Sequence, residues 1–140
     1  MFQKLFFLYF LQNALSVSQF KLTSCGTSTD LLQNVELSIQ PELPQKDYTL
    51  YLSGLLNQDI VKGSSRYDIT YNFIPLSPTT NDLCTEIGNS NVSCPLASGF
   101  FASVSKGTID LSLSGSVKIK NQWINEDGRK ILCMKFDIKL

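Results

Sequence analysis

Five segments of the chain alternate apolar and polar residues with a period of two. In NVELSIQP, Val35, Leu37 and Ile39 oppose Glu36 and Ser38, and in DYTLYLSG, Tyr48, Leu50 and Leu52 oppose Thr49, Tyr51 and Ser53. RYDITYNFIP sets Tyr67, Ile69, Tyr71 and Phe73 against Arg66, Asp68, Thr70 and Asn72. TIDLSLSGSVKIK runs through Ile109, Leu111 and Leu113 to Val117 and Ile119. ILCMKFDIKL places Leu132, Met134, Phe136, Ile138 and Leu140 opposite Cys133, Lys135, Asp137 and Lys139. Successive side chains of a strand point to opposite faces, so this period makes strands with one buried face. Pro41, Pro44, Pro75 and Pro78 mark breaks between them. Glu126-Asp127-Gly128 reads as a hairpin turn with Gly128 at positive φ. No amphipathic helix, internal repeat or low-complexity tract interrupts the pattern. Short strands separated by turn residues predict an all-β sandwich or barrel.

The first residues bear on the compartment. MFQKLFFLYFLQNALSVSQ has one basic residue, Lys4, an apolar run from Leu5 to Leu11, then small residues at Ser16 and Ser18. That order is expected of a secretory signal peptide over residues 1–18. Gln12 and Asn13 end the apolar run well short of the ~20 residues that a spanning helix needs. Cleavage after Ser18 leaves residues 19–140 as one domain large enough to bury a core. Secretion or delivery to the endolysosomal lumen follows as the expectation.

The four cysteines, Cys25, Cys84, Cys94 and Cys133, all lie in that domain. An even count in a secreted chain reads as two disulfides, with three possible pairings. Proximity along the chain favours Cys84 with Cys94 and leaves Cys25 for Cys133. Loop-closure entropy would stabilise such a fold by about 2.7 kcal/mol for a ten-residue loop and about 4.7 kcal/mol for one near a hundred. A zinc site is disfavoured, because the chain has no histidine and no C-x-x-C spacing.

Composition removes several functions. Twelve Lys and Arg balance twelve Asp and Glu, which is a poor basis for binding nucleic acid through its phosphates. The charge is uneven: residues 19–105 carry a net −4 and residues 106–140 a net +3. Solvated strand faces explain this, or a weakly basic face that meets anionic membranes through Lys118, Lys120 and Lys135. Without histidine there is no Ser-His-Asp or Cys-His arrangement, and disulfides leave no thiol nucleophile. Glu126 and Asp127 sit in a predicted exposed turn, where nothing raises a carboxyl pKa. We expect no catalytic residues, cofactor or metal. An immunoglobulin domain is discounted, since the single tryptophan, Trp123, comes late, after Cys25, Cys84 and Cys94, and the short Cys84 to Cys94 loop has no place in that scheme.

The segment DLCTEIGNSNVSCPLASGFF, residues 82–101, holds the remaining signals. Asn91-Val92-Ser93 is an N-glycosylation acceptor inside the Cys84 to Cys94 loop, which calls for an exposed loop tip. Phe100 and Phe101 are neighbours, so on a strand they face opposite ways. Either the second phenylalanine covers a sheet edge, or both line a mouth between sheets where apolar side chains meet an apolar ligand.

Landmarks spread over the domain resemble the ML lipid-recognition domain family, most closely its phosphatidylglycerol/phosphatidylinositol transfer proteins. They are Cys25 with Asp30 soon after, Pro41 and Pro44, YLSGLL around Gly54, and Gly63 before the strand at 67–74. DLC at 82–84, CPLASG at 94–99 and the terminal Cys133 are the most specific. The resemblance implies an immunoglobulin-like two-sheet β-sandwich with an apolar cavity between the sheets, and bridges Cys25–Cys133 and Cys84–Cys94. It further implies a monomeric carrier of a phospholipid or sterol, in transient contact with membrane surfaces. Leu50, Leu52, Ile69, Tyr71, Phe73, Leu111, Leu113, Met134 and Phe136 are the candidate walls, and Leu96, Phe100 and Phe101 the candidate rim. SVSKGTIDLS lacks the proline-rich turn common in the family at this point. A third bridge, usual in sterol carriers, is also missing, which argues against close kinship with them. Two other readings remain: a secreted module that recognises a protein or glycolipid on its surface, and a carbohydrate binder using Tyr51 and Trp123.

Overall fold

The computed structural model describes residues 16–140. The signal-peptide segment up to residue 15 lies outside the described residues. Among the described residues nine strands and one short helix follow in the order β1 (Gln19–Ser24), β2 (Leu32–Gln40), β3 (Asp47–Leu56), β4 (Gly63–Tyr71), β5 (Ile74–Pro75), β6 (Thr79–Asp82), α1 (Leu83–Ile87), β7 (Gly99–Thr108), β8 (Ser116–Asn125) and β9 (Lys130–Lys139). The larger sheet has the order β1-β9-β8-β4, with β5 and β6 both paired to the far edge of β4. The smaller sheet is β2-β3-β7. All pairings are antiparallel. The two sheets face each other as an all-β sandwich.

The alternation predicted from the sequence sets which faces meet. Leu52 and Leu56 of β3 and Leu132 and Met134 of β9 point inward and are buried. Gly128 takes φ 88° in the β8–β9 hairpin, as its place in the turn requires. Both expected disulfides form. Cys25–Cys133 fastens the end of β1 to β9, and Cys84–Cys94 closes a loop around α1.

Three expectations need correction. Residues 109–115 do not continue a strand into β8. Asp110 accepts hydrogen bonds from the backbone and hydroxyl of Ser112, and Gly115 takes φ 99°, so the chain turns before β8 starts at Ser116. Phe73 does not extend β4 either, because Asn72 and Phe73 form the turn into β5. A helix, α1, occurs where none was expected; five residues are too few to show a period. Asp82 caps it, accepting from the Thr85 N–H at 2.9 Å and the Thr85 hydroxyl at 2.8 Å, and those two bonds hold the Asp82 carboxyl below its usual range.

The interior is divided. One cluster, which includes Leu31, Leu52, Ile60, Leu83, Leu96 and Trp123, fills the end covered by α1. A smaller one, of Val17, Phe20, Ile109 and Ile138, fills the other end. A domain of this size ordinarily has one contiguous core.

Candidate functional site

The division begins with β7. Its inward positions carry Phe101, Ser103, Ser105 and Gly107. Packed sheets stand about 10 Å apart, a gap that side chains must fill. Two serines and a glycine do not fill it. A cavity of about 320 Å³ remains between the clusters. Gly107 makes room for Tyr48, since a Cβ there would come within 2.2 Å of the tyrosine ring.

One side of the cavity is apolar. Leu50 of β3, Ile119 of β8, and Met134, Phe136 and Ile138 of β9 form it. The other side is polar. Ser103 and Ser105 face Asn121, which lies between Tyr67 and Met134 in one cross-sheet row. Asn121 Nδ2 donates to Ser65 Oγ at 2.8 Å and to the Arg66 carbonyl at 3.1 Å, so its amide is held in place. The Tyr67 hydroxyl donates to Glu86 Oε1. Burial first, then this bond to Glu86, pushes the Tyr67 phenol well above its ordinary pKa, which keeps it a donor. Trp123 completes the wall at the α1 end, and its buried indole N–H has no acceptor among the described residues.

The rim comes from the stapled loop. Glu86 and Ile87 at the end of α1, then Asn89 and Ser90, border the cavity opposite Ser105 and Lys106 of β7. β7 is an edge strand, and Asn91 Oδ1 accepts its Val104 N–H at 2.8 Å. Gly88 N–H closes α1 by donating to the Cys84 carbonyl. The Cys84–Cys94 bridge thus holds a short loop whose helix and turn form one lip of the cavity.

Of the candidate wall residues, Leu50, Met134 and Phe136 line this cavity. Leu52 is in the larger cluster, and Ile69 and Tyr71 lie on the inner face of β4 away from the cavity wall. The Tyr71 hydroxyl is bonded to the Ser114 carbonyl at 2.8 Å. Leu111 packs on the smaller cluster, while Leu113 and Phe73 are exposed, because their segments are turns. Of the candidate rim, Leu96 is core and pairs its backbone with Ile60. Phe101 is only 6% exposed and packs edge-on against Trp123, with ring centroids 6.3 Å apart. Phe100 points the opposite way, onto the outer face of the smaller sheet, and is 76% exposed. Tyr51 shares that outer face, whereas Trp123 is buried inside the other sheet, so they form no common platform for a sugar ring.

Sequence reasoning missed the polar side of the cavity. A signal for it exists: the alternation of FASVSKG is inverted, with Val104 outward and Ser103 and Ser105 inward. Among the described residues no group of three or more His, Cys, Asp or Glu side chains could hold a metal ion. None of their helices is long and apolar enough to cross a membrane.

The chain is similar to a phosphatidylglycerol/phosphatidylinositol transfer protein of Aspergillus oryzae, at 29% identity over 106 residues. That match covers 74% of this chain and 61% of the relative, so the chain spans less than two thirds of that protein. Its fold resembles that of chicken MD-1, crystallised in complex with lipid IVa, with a TM-score of 0.64 and 19% identity over 86% of this chain and 88% of that one. A Niemann-Pick type C2 protein of the Japanese carpenter ant superposes with a TM-score of 0.58 and 17% identity over 84% and 96% of the two chains. The family model of the ML domain matches residues 19–140, and the chain belongs to the ML domain family.

Proposed function

We propose that the chain carries single phospholipids, phosphatidylglycerol or phosphatidylinositol, between membranes and works as a monomer. The divided core carries the reading. Each CH₂ taken from water contributes about 0.8 kcal/mol, so an acyl chain that fills the gap between the clusters is held without chemistry. A volume of about 320 Å³ lies at the small end of ligand sites, which suits an acyl segment with the headgroup left at the rim. That rim offers Lys106 to a phosphodiester, and Glu86 and Asn89 to headgroup hydroxyls. A sterol, with one hydroxyl and no charge, would use little of it. The name of the Aspergillus oryzae relative supports the same ligand class.

Two disulfides suit an oxidising compartment, outside the cell or in the endolysosomal lumen. Residues 1–18 would act as the signal peptide, and Asn91 as the glycan acceptor; its Oδ1 is engaged by Val104, which leaves Nδ2 for the sugar. The test is native mass spectrometry of the purified secreted protein, with organic extraction of whatever is bound, followed by transfer between donor and acceptor vesicles. Stoichiometric phospholipid that exchanges between vesicles supports the carrier. A protein that stays empty after incubation with mixed liposomes overturns it.

A further inference from the structure

The turn between β4 and β5 combines two unfavourable features. Tyr71 pairs with Ile74, so Asn72 and Phe73 are the two loop residues of a tight hairpin, with φ of 48° and 67°. Such loops favour Asn-Gly, because glycine alone enters this region without a steric cost. Phenylalanine at positive φ is an outlier that needs outside support. Here Asn72 supplies it: its N–H donates to the Ser116 carbonyl and its Oδ1 accepts from Ser116 N–H, both at 2.8 Å. Phe73 gains nothing from packing, since it is 83% exposed. Ile74 beside it is 64% exposed, and Leu76 is exposed as well. The grip of Asn72 on Ser116, and of Tyr71 on Ser114, brings the loop that bears exposed Leu113 to the same tip.

The surface behind this tip is cationic. Outward positions of the larger sheet hold Lys21, Arg66, Lys118, Lys120, Lys135 and Lys139 against Asp68, Asp82 and Asp137, with Asp68 ion-paired to Arg66 and Asp137 in register with Lys118. Two of the cations stand next to the tip. Lys118 pairs with Thr70, next to Tyr71, and Lys139 pairs with Ser116, the residue that Asn72 grips. A narrow apolar wedge beside lysines matches an anionic bilayer, in which Phe and Leu enter the acyl boundary while lysines meet phosphates. Tyr71, Val117 and Ile138 form one cross-sheet row, and Ile138 lines the cavity, so the wedge adjoins one end of the lipid site.

We propose that the Asn72-Phe73 hairpin tip, with Ile74, Leu76 and Leu113 and the flanking Lys118 and Lys139, docks the protein on anionic phospholipid bilayers. This deepens the carrier reading and rests on it for its purpose. The test is flotation of the full chain with vesicles of phosphatidylcholine alone and with vesicles that also contain phosphatidylglycerol. Phe73→Gly should melt no lower than the native protein, because glycine suits the turn, yet bind the anionic vesicles at least about ten-fold more weakly. Lys118→Glu with Lys139→Glu should remove the preference for anionic over neutral vesicles. A Phe73→Gly protein that binds anionic vesicles as tightly as the native one overturns the docking surface, as does one that unfolds. Uptake of a soluble short-chain phosphatidylglycerol, measured in parallel, should be the same in native and Phe73→Gly proteins. A native protein that docks but takes up no such lipid supports the surface and overturns only the carrier.

Discussion

The Tyr67 hydroxyl donates to Glu86 Oε1 at 2.5 Å, and this bond joins the inner face of the six-stranded sheet to the helix inside the stapled loop. Asn81 Nδ2 approaches the same oxygen at 3.4 Å. The lip of the cavity is therefore held by a covalent bridge at Cys84–Cys94, by this polar contact, and by Asn91 on the edge of β7.

Tyr67→Phe should lower stability by about 1 kcal/mol, the usual net value of one such hydrogen bond. It should also change the alkaline limb. A phenol raised above its ordinary pKa in the folded state contributes stability that is complete below about pH 10, the unfolded value, and is lost as pH rises towards the folded value. Thermal melts of the native protein should fall above about pH 10, and those of Tyr67→Phe should fall less. Burial raises Tyr48 too, so some alkaline dependence should persist in the variant. Parallel curves for the two proteins would remove Tyr67 as the source.

Filling the gap should separate stability from function. Ser105→Leu points a larger apolar side chain from β7 into the cavity. Its burial gain of about 1.5–3 kcal/mol is set against an overpacking cost of about 1–3 kcal/mol, so the melt should stay near the native one. Extractable lipid should drop sharply. Full lipid content in a folded Ser105→Leu protein would show that the ligand lies elsewhere.

The adjacent phenylalanines should behave differently. Phe101→Ser removes a ring from the larger cluster and its contact with Trp123, at a cost of about 3–5 kcal/mol. Phe100→Ser alters only an exposed position on the outer face, and both melt and lipid content should hold. Lipid loss in Phe100→Ser would return that residue to the rim.

Asn91 offers a comparison between sugar and side chain. Ser93→Ala destroys the acceptor tripeptide but leaves the Asn91–Val104 bond, whereas Asn91→Ala removes both. Both variants should lose glycan mass. Asn91→Ala alone should uncover a β7 N–H and raise concentration-dependent dimerisation by strand pairing, read by sedimentation. Equal dimerisation of the two variants would assign edge protection to the glycan.

The start of the mature chain can be tested through Val17. Val17 is buried, its N–H donates to Gln45 Oε1 at 3.0 Å, and its carbonyl accepts from Gln45 Nε2 at 3.2 Å. A protein spanning 19–140 should be less stable than one spanning 17–140 by about 1–3 kcal/mol, in denaturant melts. Equal stability would show residues 17–18 to be dispensable to the fold.

The alternation of Leu50, Leu52, Met134 and Phe136 and the spacing of the four cysteines carried the sandwich, because strand faces and loop closure depend on local order along the chain. The family was legible for a related reason: its cysteines, prolines and glycines stand at positions that backbone geometry restricts. The cavity was not legible. Period two says that Ser103, Asn121 and Tyr67 lie on alternating positions, but which face of β7 turns inward depends on pairing with β3, through contacts distant in sequence. Phe100 and Phe101 were indistinguishable until that pairing sent one to the core and the other to solvent. Likewise Phe73 continues the β4 alternation in sequence, and only the grip of Asn72 on Ser116, 44 residues away, turns it out of the sheet. Local periodicity determined which residues form strands; long-range pairing decided where the interior stays unfilled, because a gap belongs to two sheets at once.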